Sequence, residues 1–369
     1  MRIGIISLNL HVKCINYGSF LQSYALHRFL EKNGYENDVI DYLPAFKEGL
    51  NTKYPHKTVK VTGLSSLAVK TLFWLNKRVG ADKYDKFISF AKKHMSISKE
   101  KYAYNNFDTD KYDLYITGSD VIWDLSESKR TFEKGFYGDF PCIRNVISYA
   151  PSFGSCIYSE AEAKRFQKLL KKYRAISTRE ATNEPAFGDL KEGVTTVLDP
   201  TFLLDKSDYE ELLVPPQIDN KYLLYYVLET NLKANKIVDR FAKEKGLKVV
   251  EISRNVLDAI NHDMRYGAGI EEWIGLIKNA EYIVANSFHG TIFSIIFKRP
   301  FFAYSRKGAE SKITWLCNSL GLQDRLTTLE MPLVDSPIDW NSVYSELERR
   351  KTISKDFLLN AVKDVENII

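Results

Sequence analysis

Residues 282–297 constrain the fold more than any other stretch. Tyr282-Ile283-Val284-Ala285 is a short apolar run and Asn286-Ser287-Phe288-His289-Gly290-Thr291 a small polar turn. Ile292-Phe293-Ser294-Ile295-Ile296-Phe297 is apolar again. An apolar strand that stops in small polar residues and restarts as a buried helix is a βα unit. Such units bury their faces by standing side by side in a parallel sheet with helices on both sides. The turn itself admits two readings. Free N–H groups and the positive dipole end at a helix N-terminus favour an anion, and His289 adds a proton or hydrogen-bond donor near pH 7. Alternatively, Asn286 or Ser287 is a helix cap and His289 is satisfied by a backbone carbonyl.

The same alternation runs through most of the 369 residues. Ile3 to Leu8 predicts a strand and residues 9–19 a loop. Leu21 to Asn33 predicts a helix, on the spacing of Leu21, Tyr24, Ala25, Leu26, Phe29 and Leu30, with Gly34 as its C-cap. Further strands are predicted at 37–42, 114–117, 146–150, 175–177 and 194–198, and a helix at 160–173. Residues 45–108 break the rhythm with Lys- and Tyr-rich amphipathic stretches, 67–78 and 83–94. Pro215-Pro216 cannot sit inside a helix or central strand and predicts a linker. Beyond it, strands at 222–228, 248–252, 282–285 and 301–304 alternate with helices at 231–245, 270–278 and 290–297. The expected architecture is α/β, with two Rossmann-like parallel-sheet domains facing a cleft. The first spans 1–212 with a helical insertion at about 45–108, and the second spans 218–335. A helical tail, 336–369, packs back on the first.

Composition narrows the class. With 44% hydrophobic and 27% charged residues the chain is globular, and a net charge of +5 is weak for a dedicated nucleic-acid binder. It suits phosphorylated substrates or an anionic membrane surface. Cys14, Cys142, Cys156 and Cys317 are scattered without a C-x-x-C pair, which argues against a zinc cluster or disulfide framework and for a reducing cytoplasm. No run approaches the ~20 apolar residues of a membrane span. Met1-Arg2 leads straight into the first strand with no secretory signal. The expectation is a soluble cytoplasmic protein, at most peripheral to the inner membrane face.

In open parallel sheets ligands sit beyond the carboxyl ends of strands, and most candidate residues fall there. Asn16-Tyr17-Gly18-Ser19 opens a helix: Gly18 lets a ligand approach the backbone and Ser19 binds an oxyanion, or the turn is simply capped. It is not G-x-G-x-x-G, so a dinucleotide fingerprint is absent. Ser119 and Asp120 end a strand, where Asp120 serves as a general base or sugar-hydroxyl acceptor, or caps a following helix. Arg179 forks onto a carboxylate or phosphate, or forms a surface ion pair with Glu180. Arg306, Lys307 and Lys312 bind an anion, or are a solvated loop. Trp74, Lys77 and Arg78 face anionic lipid, or form the wet side of a core helix. Trp123 stacks on a sugar or belongs to the core. Nothing near Cys14 would activate it as a nucleophile, and no residue spacing calls for a metal.

Six segments in order make the chain resemble the polysaccharide pyruvyl transferase family. They are Asn16 to Ser19 with Leu21 to Leu26, Ile116 to Trp123 ("GSD-x-x-W"), Ile147 to Gly154, Ser177 to Glu180, Val197 to Thr201 ("LDPT") and Asn286 to Thr291 ("SFHG"). The resemblance implies a fold like that of GT-B glycosyltransferases. It implies transfer of a pyruvyl group from phosphoenolpyruvate, a co-substrate rather than a cofactor, onto two hydroxyls of a lipid- or nucleotide-linked sugar as a cyclic ketal, for a cell-surface polysaccharide. It implies His289 as acid and phosphate contact, Asp120 as base and Arg179 as anion clamp. Asn16, Tyr17, Gly18, Ser19, Ser119, Asn286, Ser287, Gly290, Arg306 and Lys312 would line the substrates. Some members carry R-L-H where this chain has Ser287-Phe288-His289, so one anion contact must come from elsewhere. Alternatives are a nucleotide-sugar glycosyltransferase and a non-catalytic glycan-binding relative.

Overall fold

Among the described residues, strand pairing is parallel in every sheet. The computed structural model describes residues 1–8, 10, 15–48, 53, 77–103, 105–107, 111–126, 128–181, 184–229, 232–253, 262–304, 310–328 and 332–369. The chain divides into two compact units. The first comprises 1–50, 91–204 and 346–369, and the second 51–90 and 205–345.

In the first unit, β1 (Arg2–Ile6), β2 (Glu36–Leu43), β3 (Ile97–Ala103), β4 (Leu114–Gly118) and β5 (Val146–Tyr149) form a sheet in the order β3-β2-β1-β4-β5. β6 (Ile176–Thr178) and β7 (Val194–Thr196) form a two-stranded sheet, reached from β5 by a bridge between Ile147 and Ala175. Helix α1 (Tyr17–Lys32) connects β1 to β2, and its buried face includes Leu21, Ala25, Leu26 and Leu30. α1 ends with Gly34 at φ 84°, a left-handed residue whose N–H bonds the carbonyl of Glu31. On another side of the sheet an aromatic core gathers Trp123, Phe153, Phe166 and Phe187, Phe166 lying on helix α3 (Glu160–Leu170). Trp123 is therefore core rather than a sugar platform.

The second unit repeats the plan. β8 (Tyr222–Tyr226), β9 (Lys248–Ile252), β10 (Asp263–Met264), β11 (Tyr282–Ala285), β12 (Phe301–Tyr304) and β13 (Leu326–Thr327) run in the order β10-β9-β8-β11-β12-β13. Helices α5 (Leu232–Lys245), α6 (Ile270–Asn279), α7 (Phe288–Ile296) and α8 (Glu310–Ser319) alternate with them, after a short α4 (Lys206–Glu210). In each unit the order reverses beside its first strand: between β1 and β4, and between β8 and β11. These are the switch points at which open α/β sheets bind ligands.

Three expectations need amending. Residues 97–103 are a strand of the main sheet, so the irregular stretch is not helical to 108. The run Ile-Ser-Lys-Glu-Lys-Tyr-Ala is charged because it is an edge, and edges resist further pairing through charge. Before it, α2 (Lys77–His94) is helical; residues 67–76 lie outside the described residues, as do Cys14 and Arg306. Next, the division falls after Leu204 and not at Pro215-Pro216. The prolines sit in a strap bonded to α6: the Val214 N–H meets the Glu271 carbonyl, and a Cβ on Gly275 would lie 1.9 Å from the Val214 carbonyl oxygen. Finally, residues 77–90 of the expected insertion belong to the second unit and not to the first. The tail is one helix, α9 (Trp340–Glu366), whose residues from 346 onward belong to the first unit. Ser354 there donates from Oγ to the Arg350 carbonyl and accepts the Leu198 N–H at 2.9 Å. No described helix is long and apolar enough to cross a membrane.

Candidate functional site

The first unit's strands end in buried polar residues: Ser7 after β1, Ser119 and Asp120 after β4, Ser152 after β5, Arg179 and Glu180 after β6, and Asp199 and Thr201 after β7. Asn16 is the N-cap of α1, its Oδ1 accepting the Gly18 N–H at 3.0 Å. That places Tyr17, Gly18 and Ser19 in the helix's first turn, all buried. Across the switch point the Ser19 hydroxyl donates to Asp120 Oδ2 at 2.5 Å. Gln22, one turn on, donates to the Ser7 hydroxyl and the Ser19 carbonyl. Asp120 stands at φ 63°, left-handed, and no helix follows it. Its second carboxylate oxygen accepts the Val121 N–H instead, and its carbonyl accepts the Ser152 N–H. Ala150, at the end of the neighbouring strand, is also left-handed (φ 54°). Non-glycine residues in that region cost about 1 kcal/mol or more and cluster where function over-determines the backbone.

Arg179 is neither exposed nor aimed at an open anion site. It is 1% exposed. Its Nε donates to Glu180 at 3.1 Å and its Nη1 to Asp199 at 3.0 Å. Burial works against the charged guanidinium, and the carboxylates of Glu180, Asp199 and Asp120 more than offset it, leaving the pKa raised. The acids are held in turn. Ser152 donates to Glu180, Asp199 accepts from the Thr201 N–H and hydroxyl, and Ser119 Oγ reaches Asp199 at 3.4 Å. Three carboxylates around one arginine make this edge net negative. It suits hydroxyl donors better than a phosphate. Gln22, Ser152 and Asp199 lay inside motifs legible in the sequence, but nothing in their spacing told that they converge.

The second unit's switch point is built differently. Ser287 is the N-cap of α7 and accepts the Gly290 N–H at 3.4 Å. An arginine at this position would forfeit the cap. Asn286 bonds across to the chain after β8, accepting the Leu228 N–H at 2.7 Å and donating to the Glu229 carbonyl at 2.8 Å. Its amide is therefore a stitch, not a ligand-facing group. Gly290 is required by close approach: a Cβ would sit 2.8 Å from the Tyr226 ring and 3.0 Å from Ala285 Cβ. His289 occupies the first turn, 6% exposed, edge-on to Phe288 at 5.4 Å. A helix N-terminus favours anions through its dipole and its first-turn N–H groups, one of which, on Gly290, the Ser287 hydroxyl takes. Lys312 is 9% exposed on α8 and does not belong to a solvated loop.

A sequence model of the polysaccharide pyruvyl transferase family matches residues 16–308. The chain belongs to that family. All six motif segments lie within the matched region. No curated protein matches the chain. Among solved structures, it is similar to the S. aureus MnaA-UDP co-structure, with TM-score 0.48 and 11% identity over 100% of this chain and 97% of that one. It is also similar to the Methanocaldococcus jannaschii UDP-GlcNAc 2-epimerase in complex with UDP-GlcNAc and UDP, with TM-score 0.45 and 11% identity over 98% and 99%. A third is the E. coli heptosyltransferase WaaC with ADP, with TM-score 0.40 and 10% identity over 95% and 100%.

Proposed function

We propose that the protein transfers the pyruvyl group of phosphoenolpyruvate to two hydroxyls of a sugar in a polysaccharide precursor, giving a cyclic ketal and inorganic phosphate. The observation that carries this reading is the family match over 16–308, joined to the position of its motif residues at the carboxyl ends of parallel strands.

The chemistry needs a proton donor to C3, a proton acceptor for the sugar hydroxyls and a hold on the anion. Protonation of phosphoenolpyruvate at C3 leaves C2 electron-poor. The first sugar hydroxyl forms a bond to C2 and loses its proton, the C2–O bond to phosphate breaks, and the second hydroxyl closes the ring with loss of another proton. Asp120, hydrogen-bonded to Ser19 in a net negative setting, takes the hydroxyl proton. His289, at a helix N-terminus, supplies the proton to C3, while the first turn of α7 holds the anion. Each acid–base contribution is worth about 10²–10⁴-fold. Arg179 acts as a positioning residue that fixes the acids beside Asp120.

The test is phosphate release from phosphoenolpyruvate with lipid- and nucleotide-linked sugars, wild type beside His289→Ala. Release that needs an acceptor and disappears in the variant supports the reading. No release with any acceptor, together with thermal stabilisation by a nucleotide sugar, replaces it with glycosyl transfer.

A further inference from the structure

Helix α5 carries a row of cations that nothing in the proposed reaction uses. Lys233, Lys236, Arg240 and Lys243 are all exposed. Their spacing of three, four and three residues puts them within one face of the helix, along about 15 Å of its axis. Lys233, Lys236 and Arg240 border a groove of about 420 Å³ with Ile237, Phe241, Pro332 and Leu333, and Glu244 is its one acid. Among the described residues, Lys236, Arg240 and Lys243 form no ion pair. Asp239, the acid on the flank, is already bonded to His262. Val334, next to the groove's apolar wall, is 71% exposed.

We infer that this face docks on an anionic phospholipid bilayer. A linear row of exposed cations beside an exposed aliphatic side chain matches a charged plane with an apolar layer beneath it. A single soluble phosphate would instead call for donors converging on one point. The row belongs to residues 233–243 and not to 67–78, where the sequence suggested lipid contact. The inference does not depend on the reaction proposed above, because its readout is binding.

The experiment is sedimentation of the full chain with phosphatidylglycerol vesicles and with phosphatidylcholine vesicles. Binding is expected to the anionic vesicles alone and to weaken as salt rises. K236Q/R240Q should weaken it by about 25-fold, near fivefold per cation. A charge-matched control, K168Q/K172Q, alters two exposed lysines of the first unit, one on α3 and one in the turn after it, and should leave binding nearly intact. Both doubles change exposed side chains, and an unchanged melting curve verifies their fold. Absence of wild-type binding, equal loss in the control, or saturable competition by millimolar inorganic phosphate would each overturn the inference.

Discussion

The β1/β4 and β8/β11 switch points share a topology but are closed by different chemistry. At the first, ionisable side chains do the joining: Ser19 to Asp120, and Arg179 to Glu180 and Asp199. At the second, neutral groups do it: the Asn286 amide to the chain after β8, and the Ser287 hydroxyl to its own helix. Charges held in a protein interior are sensitive to the loss of any one partner, whereas a neutral frame tolerates substitution and leaves its helix terminus electrically positive. The same sheet plan is thus closed once by charged groups and once by neutral ones.

Mutations can break that contrast, beginning with the charged edge. Arg179→Ala leaves Glu180 and Asp199 buried without their counter-charge and should cost about 3–5 kcal/mol, read from urea unfolding. A stable variant with only a raised donor KM would return Arg179 to the substrate. On the neutral edge the heaviest effect should be catalytic: His289→Ala is expected to lower kcat about 10²–10⁴-fold while the melting temperature moves little. A collapse of stability would make His289 structural. Gly290→Ala forces a methyl against Tyr226 and Ala285 and should cost about 1–3 kcal/mol. Ser287→Ala should cost about 1 kcal/mol, the ordinary value of a lost N-cap.

The smallest effects sharpen the comparison through pH. His27, in the first unit, is buried and accepts the Ser96 N–H at Nε2, so its Nδ1–H donates to Asn37. Burial lowers its pKa. The unfolded chain then binds the extra proton, and stability should fall as pH drops below about 6.5. His262, in the second unit, lies between Glu251 and Asp239. Burial opposes its charge, but the two carboxylates prevail and raise its pKa. Its contribution is complete below about 6.5 and should disappear as pH rises through the higher folded value. Unfolding midpoints across pH should therefore lose their acid-side slope in His27→Gln and their neutral-to-alkaline slope in His262→Gln.

Much of the fold was legible because buried parallel strands and the helices between them write themselves as local apolar runs. The 282–297 unit appears as strand, cap and helix nearly where its pattern places it. What escaped depends on distance along the chain. Arg179 and Asp199 are 20 residues apart, and Asn286 bonds a turn 57 and 58 residues earlier. No window of sequence shows that these side chains consume one another's hydrogen-bonding capacity. β3 escaped for the opposite reason: its local pattern is polar because edge strands need charge, and charge hides the period of two.

The passage of α9 from one unit to the other bears on biosynthesis. The second unit has its last segment once residue 345 has been made, but the first still lacks 346–369, including Ser354 for the Leu198 N–H. At ribosomal speeds of about 5–20 residues per second, the interval between residue 204 and that helix is on the order of ten seconds or more. The amino-terminal unit, although first to emerge, is the last to close, and a nascent chain stalled before residue 346 would present its unfinished edge to chaperones.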